Sequence, residues 1–433
     1  MTARLLYYRP RHWLHLGLAV VALLYMLFVA LMLAGSGLFT YVGMDYLAAL
    51  CTLRFVQANG FAHAYDLAAQ ARFHQLANAS VPAYAACDTP PLPYLPVFLA
   101  LFEPLALLPP ALGFALWTAL NLTLFIAYCY RFGRAIGRPC RPAALLKLVL
   151  AYALYENLVA GQVNVLLFAC FGEVILAYSR GQRLRSGLWL GGLLLKPQAL
   201  LLVLPGLVLG RRLKLLLGFA LACLALGGVS LALAGVGGMV DLGRLLRYYS
   251  AGLGPTFPEA GMNWRGLAIN LAPLVGEPAA WALALPGLVV TVVAGLAVWL
   301  APRHGRADDQ LVVALLGSFA ASSAATWHSH VYSGLPLLAP LLYLSAGGRL
   351  PEWLFNAWLA GPAAAFFIAA FTIRPTAGHP AAGLTMLLVN VLLVAWATRT
   401  AWRPAAAAAV RDAARHPLPR VQAPGPTVAC ETE

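Results

Sequence analysis

Apolar runs of about 20 residues dominate the chain, separated by short polar or basic connections. The first run, 14–34, follows Arg4, Arg9 and Arg11. Its length suits one bilayer crossing, and it exceeds a signal-peptide core, so it is expected to stay as a span. Further runs lie near 111–130, 143–160, 165–179, 215–235, 281–300, 310–326, 333–346, 353–371 and 381–398. This pattern predicts an all-α polytopic membrane protein. Two stretches interrupt it. Residues 187–209 separate two basic connections that should share one side, yet are too few for two full crossings. Gly191, Gly192 and an apex at Lys196-Pro197-Gln198 predict a re-entrant hairpin of two short helices, with Lys196 reaching a wet cavity at membrane depth. Residues 92–108 are apolar but broken by Pro93, Pro96 and Pro104 and carry Glu103; they are expected to dip in or lie at the outer interface. The count comes to about 12 transmembrane helices.

Composition agrees with this class. Of 433 residues 61% are apolar and 10% charged, which excludes an ordinary soluble enzyme, a disordered chain and a small disulfide scaffold. The net charge of +14 would suggest nucleic acid, but the basic residues are spread between apolar runs and read as orientation signals, so no nucleic-acid partner is expected. Arg131, Arg134, Arg138, Arg141 and Lys147 mark one inside connection. Arg180, Arg183 and Arg185, then Arg211, Arg212 and Lys214, then Arg303 with Arg306, Arg349, and the tail mark the others. Only Arg54, Arg72, Lys196, Arg244, Arg247, Arg265 and Arg374 fall outside. Both termini are thus expected in the cytoplasm of a multi-pass plasma-membrane protein. Residues 1–400 form one integral-membrane domain with extracytoplasmic loops at 35–91 and 236–280, and 401–433 form a disordered tail. The seven cysteines show no CxxC pair, although Cys51 and Cys87 could bridge in an oxidising compartment.

Chemistry is sought among the outward polar residues. Asp45, in Gly43-Met44-Asp45-Tyr46, can act as a general base or simply cap a helix. Asp66 reads as a site acid or, more simply, an N-cap, and Asp88 as a second acid or part of a turn. Lys196 suits a phosphate as a compact point charge, or an ion pair with Glu156 or Glu173. Gln162 and Asn164, in Gly161-Gln162-Val163-Asn164, offer amides to sugar hydroxyls or cap and bridge helices. Trp327-His328-Ser329-His330 supplies imidazoles for a phosphate or a hydroxyl, and nothing nearby completes a metal site. The 236–280 loop adds Asp241, Arg244, Arg247, Tyr248, Tyr249, Asn263, Trp264 and Arg265. These give sugar-stacking faces and phosphate forks, or an interfacial aromatic belt with its anchors. No dinucleotide or Walker loop is present, and no cofactor is expected.

Over about residues 10–400 the ordered features resemble glycosyltransferase family 87, the polyprenyl-phosphate-sugar-dependent membrane enzymes of the type-C (GT-C) superfamily. The resemblance rests on several short matches. These are Asp45-Tyr46 with Ala48-Ala49; Gly60 and Tyr65-Asp66; Pro90-Pro91-Leu92 with Pro104 and Leu108-Pro109; Gly161-Gln162-Val163-Asn164; Lys196-Pro197-Gln198; Asn263 with Gly266-Leu267; and Trp327 with His330 before Pro336. It implies an extracytoplasmic active site with Asp45 as the catalytic base. It implies that Lys196 and His330, with His328 and Arg265, lie near the donor phosphate. Tyr46, Asp66, Gln162, Asn164, Gln198, Asn263 and Trp327 would then face the sugar or the acceptor. Two departures stand out: Ser329 replaces the first histidine of a usual His-His pair, and Trp264-Arg265 follow Asn263 in place of Gln-Ser. The implied reaction moves a hexose, mannose by resemblance, from a polyprenyl-phosphate donor to a glycolipid or cell-envelope glycan acceptor, with inversion. Arabinofuranosyl transfer is the alternative chemistry. A transporter or flippase of lipid-linked saccharides, and a non-catalytic subunit of a glycan assembly machine, are the alternative classes.

Overall fold

The computed structural model describes residues 42–80, 92–138, 140, 142–149, 151–251, 257–302 and 307–403. The first apolar run, Cys87, Asp88, Arg141, Arg303, Arg306 and the tail beyond 403 lie outside them. The described residues form helices and turns, and Gly261 and His330 pair in an isolated antiparallel bridge.

Helix α1 (Met44–Asn59) and α2 (Leu67–Ser80) form the first polar region. Helix α3 (Pro96–Phe102) starts at a proline, whose fixed φ suits a first helical position, and runs into a 3₁₀ turn, Glu103–Leu107. Helix α4 (Pro110–Ala135) is the first of five described segments long and apolar enough to cross a bilayer. The others are Leu213–Ser250, Glu277–Leu300, Glu352–Thr372 and Pro375–Ala401. Exposed leucines mark their lipid-facing surface: Leu112, Leu116 and Leu120 on α4 recur every four residues as one stripe. The protein is therefore a membrane protein.

The expected span at 143–160 is not one helix. It divides into α5 (Pro142–Val149) and α6 (Tyr152–Ala160), with Ala151 extended between them. No proline or glycine marks that break; α6 is instead packed against the 3₁₀ turn Val331–Leu337. Helix α7 (Asn164–Ser179) follows after Gly161. The 187–209 stretch forms as expected from short pieces. Helix α8 (Arg183–Leu190) and the 3₁₀ turn Gly191–Leu195 meet the turn Pro197–Leu200 and α9 (Val203–Leu209) at Lys196.

Helix α10 (Leu213–Ser250) breaks at Gly235, where φ is 65° and ψ 178°. The break falls where the apolar run 215–235 was expected to end, and the polar stretch after it is helical up to Ser250. Glycines let α8 approach α10 closely: a Cβ on Gly187 would lie 2.1 Å from the Leu215 carbonyl oxygen. Helices α11 (Trp264–Val275), α12 (Glu277–Leu300), α13 (Ala307–Ala325), α14 (Leu338–Ala346), α15 (Glu352–Thr372) and α16 (Gly378–Ala401) complete the fold. The core centres on α13, where every side chain from Leu311 to Ala324 is buried. Its hydroxyls are absorbed locally, and Ser322 Oγ accepts the Leu202 amide at 2.9 Å, satisfying backbone that the hairpin leaves open.

Arg131 and Arg134 lie near the end of α4, and Arg180 follows the end of α7. Arg131 near the end of α4 forms an ion pair with Glu173 on α7, and Tyr128 donates to the same carboxylate at 3.0 Å. The other ends of α4 and α7, at Gly113 and Asn164, adjoin α1 and the turn that carries Gln162.

Candidate active site

Asp45 owes its position to two backbone devices. Gly43, with φ 82°, ends the preceding chain and donates its amide to the Val159 carbonyl at 2.7 Å. That bond seats the start of α1 on the end of α6, and Asp45 falls in the first turn of α1. Helix α6 then stops at Gly161, which is left-handed at φ 76°. The Gly161 carbonyl accepts from Trp117 Nε1 at 2.9 Å. Asn157 Oδ1 receives both the Asn164 amide, at 2.9 Å, and Asn164 Nδ2, at 3.0 Å, which caps α7. The turn so held delivers Gln162, whose Nε2 donates to Asp45 Oδ2 at 2.5 Å.

Lys196 sits at the hairpin apex with 7% of its surface exposed. Its Nζ lies 4.7 Å from the centroid of the Tyr332 ring, a cation–π contact. Lys196 is also the cation that acts on Asp45, while Glu156 is a carboxylate within electrostatic reach of it. The two ion-pair partners considered for Lys196 are engaged elsewhere: Glu173 with Arg131, and Glu156 with His379 Nδ1 at 3.6 Å. The His330 ring is 5.4 Å from Tyr332 and is hydrogen-bonded to the Ala260 backbone. The turn bearing it is anchored by the Gly261–His330 bridge and by the Met262 amide on the Ser329 carbonyl at 2.7 Å.

Burial pushes the Asp45 carboxyl above its usual range, against the opposing pull of the Gln162 hydrogen bond and the Lys196 charge. Burial, reinforced by Lys196 and His328, lowers His330 to about 4, so it is neutral at pH 7 and offers an N–H rather than a charge. Asp45, Gln162, Tyr46, Tyr94, Phe102 and Trp117 help line a cavity with about 400 Å³ of empty space, open solvent included; its remaining wall is mostly leucine. A carboxylate with a raised pKa, fixed by one donor and facing an ammonium, can take a proton while the cation stabilises developing negative charge.

Most of the other expected site residues have partners of their own. Tyr46 is 4% exposed and wedged against α4, where a Cβ on Gly113 would lie 2.1 Å from its hydroxyl. Asp66 caps α2, its Oδ1 accepting the Ala69 amide at 2.9 Å, so the simpler reading describes it. Asn164 is fully buried and turned to Asn157. Asn263 caps α11 by accepting the Gly266 amide at 2.7 Å, and its Nδ2 meets the Ser329 carbonyl at 3.4 Å. It thus braces the histidine turn rather than facing a cavity. His328 Nε2 is 2.6 Å from the Tyr249 carbonyl. Arg265 lies 4.5 Å over the Trp327 ring, and Trp327 stacks on Trp281 with centroids 6.0 Å apart. Gln198 is half-buried beside Lys196. Asp241 and Arg244 pair with each other at 2.7 Å on the exposed surface of α10. Among the described residues no group of three or more His, Cys, Asp or Glu converges as a metal site requires. Tyr332, Tyr94 and Trp281 are neighbours that the sequence did not single out. Tyr332 carried a signal of its own, being an aromatic two positions after His330.

The scaffold is a helical membrane protein that buries a carboxylate within electrostatic reach of an ammonium, which in turn acts on an imidazole. The chain belongs to glycosyltransferase family 87, whose sequence model matches residues 93–324, more than half of its length. The match contains Gln162, Lys196 and Arg265; Asp45, Trp327, His328 and His330 lie outside it. No curated protein and no solved structure matches the chain. The protein is therefore a glycosyltransferase acting on a sugar donor and an acceptor in a membrane setting, and the transporter and non-catalytic readings fall away.

Proposed function

We propose that the chain transfers a hexose, mannose by resemblance, from a polyprenyl-phosphate donor to a hydroxyl of a glycolipid or cell-envelope glycan on the extracytoplasmic side. The observation that carries this reading is the buried Asp45 carboxylate, which lines a mostly apolar cavity within electrostatic reach of Lys196, the cation that also acts on His330. Asp45 takes the proton of the acceptor hydroxyl as its oxygen bonds to the anomeric carbon. The bond from that carbon to the phosphate oxygen breaks, and the lipid phosphate leaves with the electron pair. Lys196 and the neutral N–H of His330 meet the charge that develops there. An apolar wall beside the base suits a substrate with a lipid portion.

Two features support the sidedness. Cys51 on α1 is disulfide-bonded, its partner lying outside the described residues, and such a bond persists in an oxidising compartment. The basic ends of α4 and α7 lie away from Asp45, as retention of positive charge in the cytoplasm requires. A type-C fold of about 12 spans, including the first apolar run, is part of the same proposal.

The test is transfer of radiolabelled sugar from polyprenyl-phosphate mannose into extracted native membrane lipids, by purified protein and its Asp45→Asn variant. Loss of about 1,000-fold or more in kcat with donor affinity retained is expected, within the range general-base removal spans. Equal transfer by both proteins would remove Asp45 as the base. Transfer from an arabinofuranosyl donor alone would replace the sugar.

A further inference from the structure

Gln162, expected to face the sugar or the acceptor, lines the cavity beside Asp45 and commits its amide nitrogen to that carboxylate. The side chain is 5% exposed. Its amide nitrogen is 2.5 Å from Asp45 Oδ2, and its carbonyl oxygen Oε1 is buried without a partner. An amide free to choose would turn that oxygen toward a donor. Turned the other way here, it would set Oε1 against a carboxylate oxygen. The side chain thus keeps a buried unpaired carbonyl in order to present its N–H to Asp45, and an unsatisfied group of this kind calls for a reason.

The surrounding turn fixes the same choice. Gly161 is left-handed and held by Trp117, and the Gln162 amide donates to the Asn157 carbonyl at 2.8 Å. Gly161 and Gln162 are thus each held by a hydrogen bond to a neighbouring element. The contact spans 117 positions of sequence, so it is made by the fold and not by local chain proximity.

We propose that Gln162 is the positioning residue of the catalytic carboxylate: it holds Oδ2 of Asp45 and leaves Oδ1 aimed at the acceptor hydroxyl. This rests on the reading of Asp45 as base. The charged and titratable groups facing Asp45 are Lys196 from the hairpin, Glu156 from α6, Tyr94, Tyr249 and Tyr332. Removing the amide leaves all of these in place. The carboxylate then loses the Gln162 hydrogen bond and keeps the full effect of burial.

Gln162→Leu preserves size and removes the donor. In the transfer assay with polyprenyl-phosphate mannose, kcat is expected to fall about 10-fold to 100-fold with the donor KM unchanged. The acid limb of kcat/KM should move up by about one pH unit, because a hydrogen bond to the charged form has been lost. A second readout needs no donor. Carbodiimide labelling of Asp45, followed by peptide mass spectrometry across a pH series, reports the protonation midpoint, which should rise in Gln162→Leu. A rate and midpoint equal to wild type would overturn the proposal. So would reduced yield of folded protein with an unmoved midpoint, since that is all a structural role would produce. Asp45→Asn run in parallel separates the two claims: if it is inactive while Gln162→Leu is normal, only the positioning role fails, and if it is active, the base reading fails.

Discussion

Gly161→Ala tests whether the turn places the base. The residue is left-handed at φ 76°, a conformation that costs an L-residue about 1–2 kcal/mol. A Cβ there would lie 2.5 Å from the Tyr46 Cβ, whereas carbon atoms rest about 3.5–4.0 Å apart. Something must therefore move by about 1 Å. Tyr46 has little freedom to yield, because its ring packs on Phe114 at 5.6 Å and its hydroxyl fills the notch at Gly113. The displacement falls on the start of α1, one residue from Asp45. A misplacement of about 1 Å is worth roughly 100-fold in rate. Gly181→Ala is the control: its φ is also 76°, yet nothing lies within 4 Å of the added Cβ. It should lose similar stability, about 1–2 kcal/mol, and keep its transfer rate. Thermal melting in detergent and transfer rate per folded protein give the two quantities. Transfer by Gly161→Ala within about twofold of Gly181→Ala would refute the argument, since the backbone cost would then be the whole effect.

Lys196→Met should weaken donor binding by about 10-fold to 150-fold, the equivalent of one charge-assisted contact of about 1.5–3 kcal/mol, read by titration with polyprenyl-phosphate mannose. Unchanged affinity would deny Lys196 its phosphate. Tyr332→Phe keeps the ring under the ammonium and should resemble wild type, while Tyr332→Leu should lose about 2-fold to 30-fold in donor affinity, the span of a cation–π contact of about 0.5–2 kcal/mol. Equal loss in both would assign the effect to the hydroxyl. The rise of kcat/KM with pH should lie above the ordinary carboxylate range, because Asp45 acts deprotonated and its pKa is raised. His330, at about 4, should already be neutral through most of that rise, so His330→Gln should lower the rate without moving the limb. A limb that shifts with His330→Gln would transfer the titration to the imidazole.

What was legible in the sequence follows from how local each signal is. The hairpin at Lys196 was readable because Gly191, Gly192 and Pro197 write the break into the chain itself. The break at Gly235 coincides with the end of an apolar run, and Asp66 precedes an amphipathic stretch as an N-cap does. The division of 143–160 was not readable: no helix breaker stands there, and packing against Val331–Leu337 sets it. Sequence order also pointed to Asp45 and Gln162 separately, but not to their contact, which joins segments 117 positions apart. Arg265 and Trp327 were read as ligands for phosphate and sugar, yet 62 positions apart they meet each other, and Trp281 closes the stack. Periodicity reports which face of an element is buried, not what it is buried against.

The site groups share one structural circumstance, which bears on why the fold is broken where it is. Asp45 opens a helix after a left-handed glycine, and Gln162 follows another. Lys196 separates two 3₁₀ turns, and His330 is the extended residue before a third. A side chain in mid-helix projects sideways into neighbouring helices, whereas one at a terminus can project along the axis into a space between elements. Breaking a helix also frees backbone donors and acceptors, which an apolar setting does not tolerate unless other protein groups meet them. Here Trp117 takes the Gly161 carbonyl, Asn157 takes the Asn164 amide, and Ser322 takes the Leu202 amide. None of these three is a proposed catalytic group. They are nonetheless what allows Gln162 and Lys196 to stand on irregular backbone within a hydrophobic fold. These buried polar residues are thus explained by the breaks, and the breaks are where Asp45 and Lys196 stand within electrostatic reach of each other.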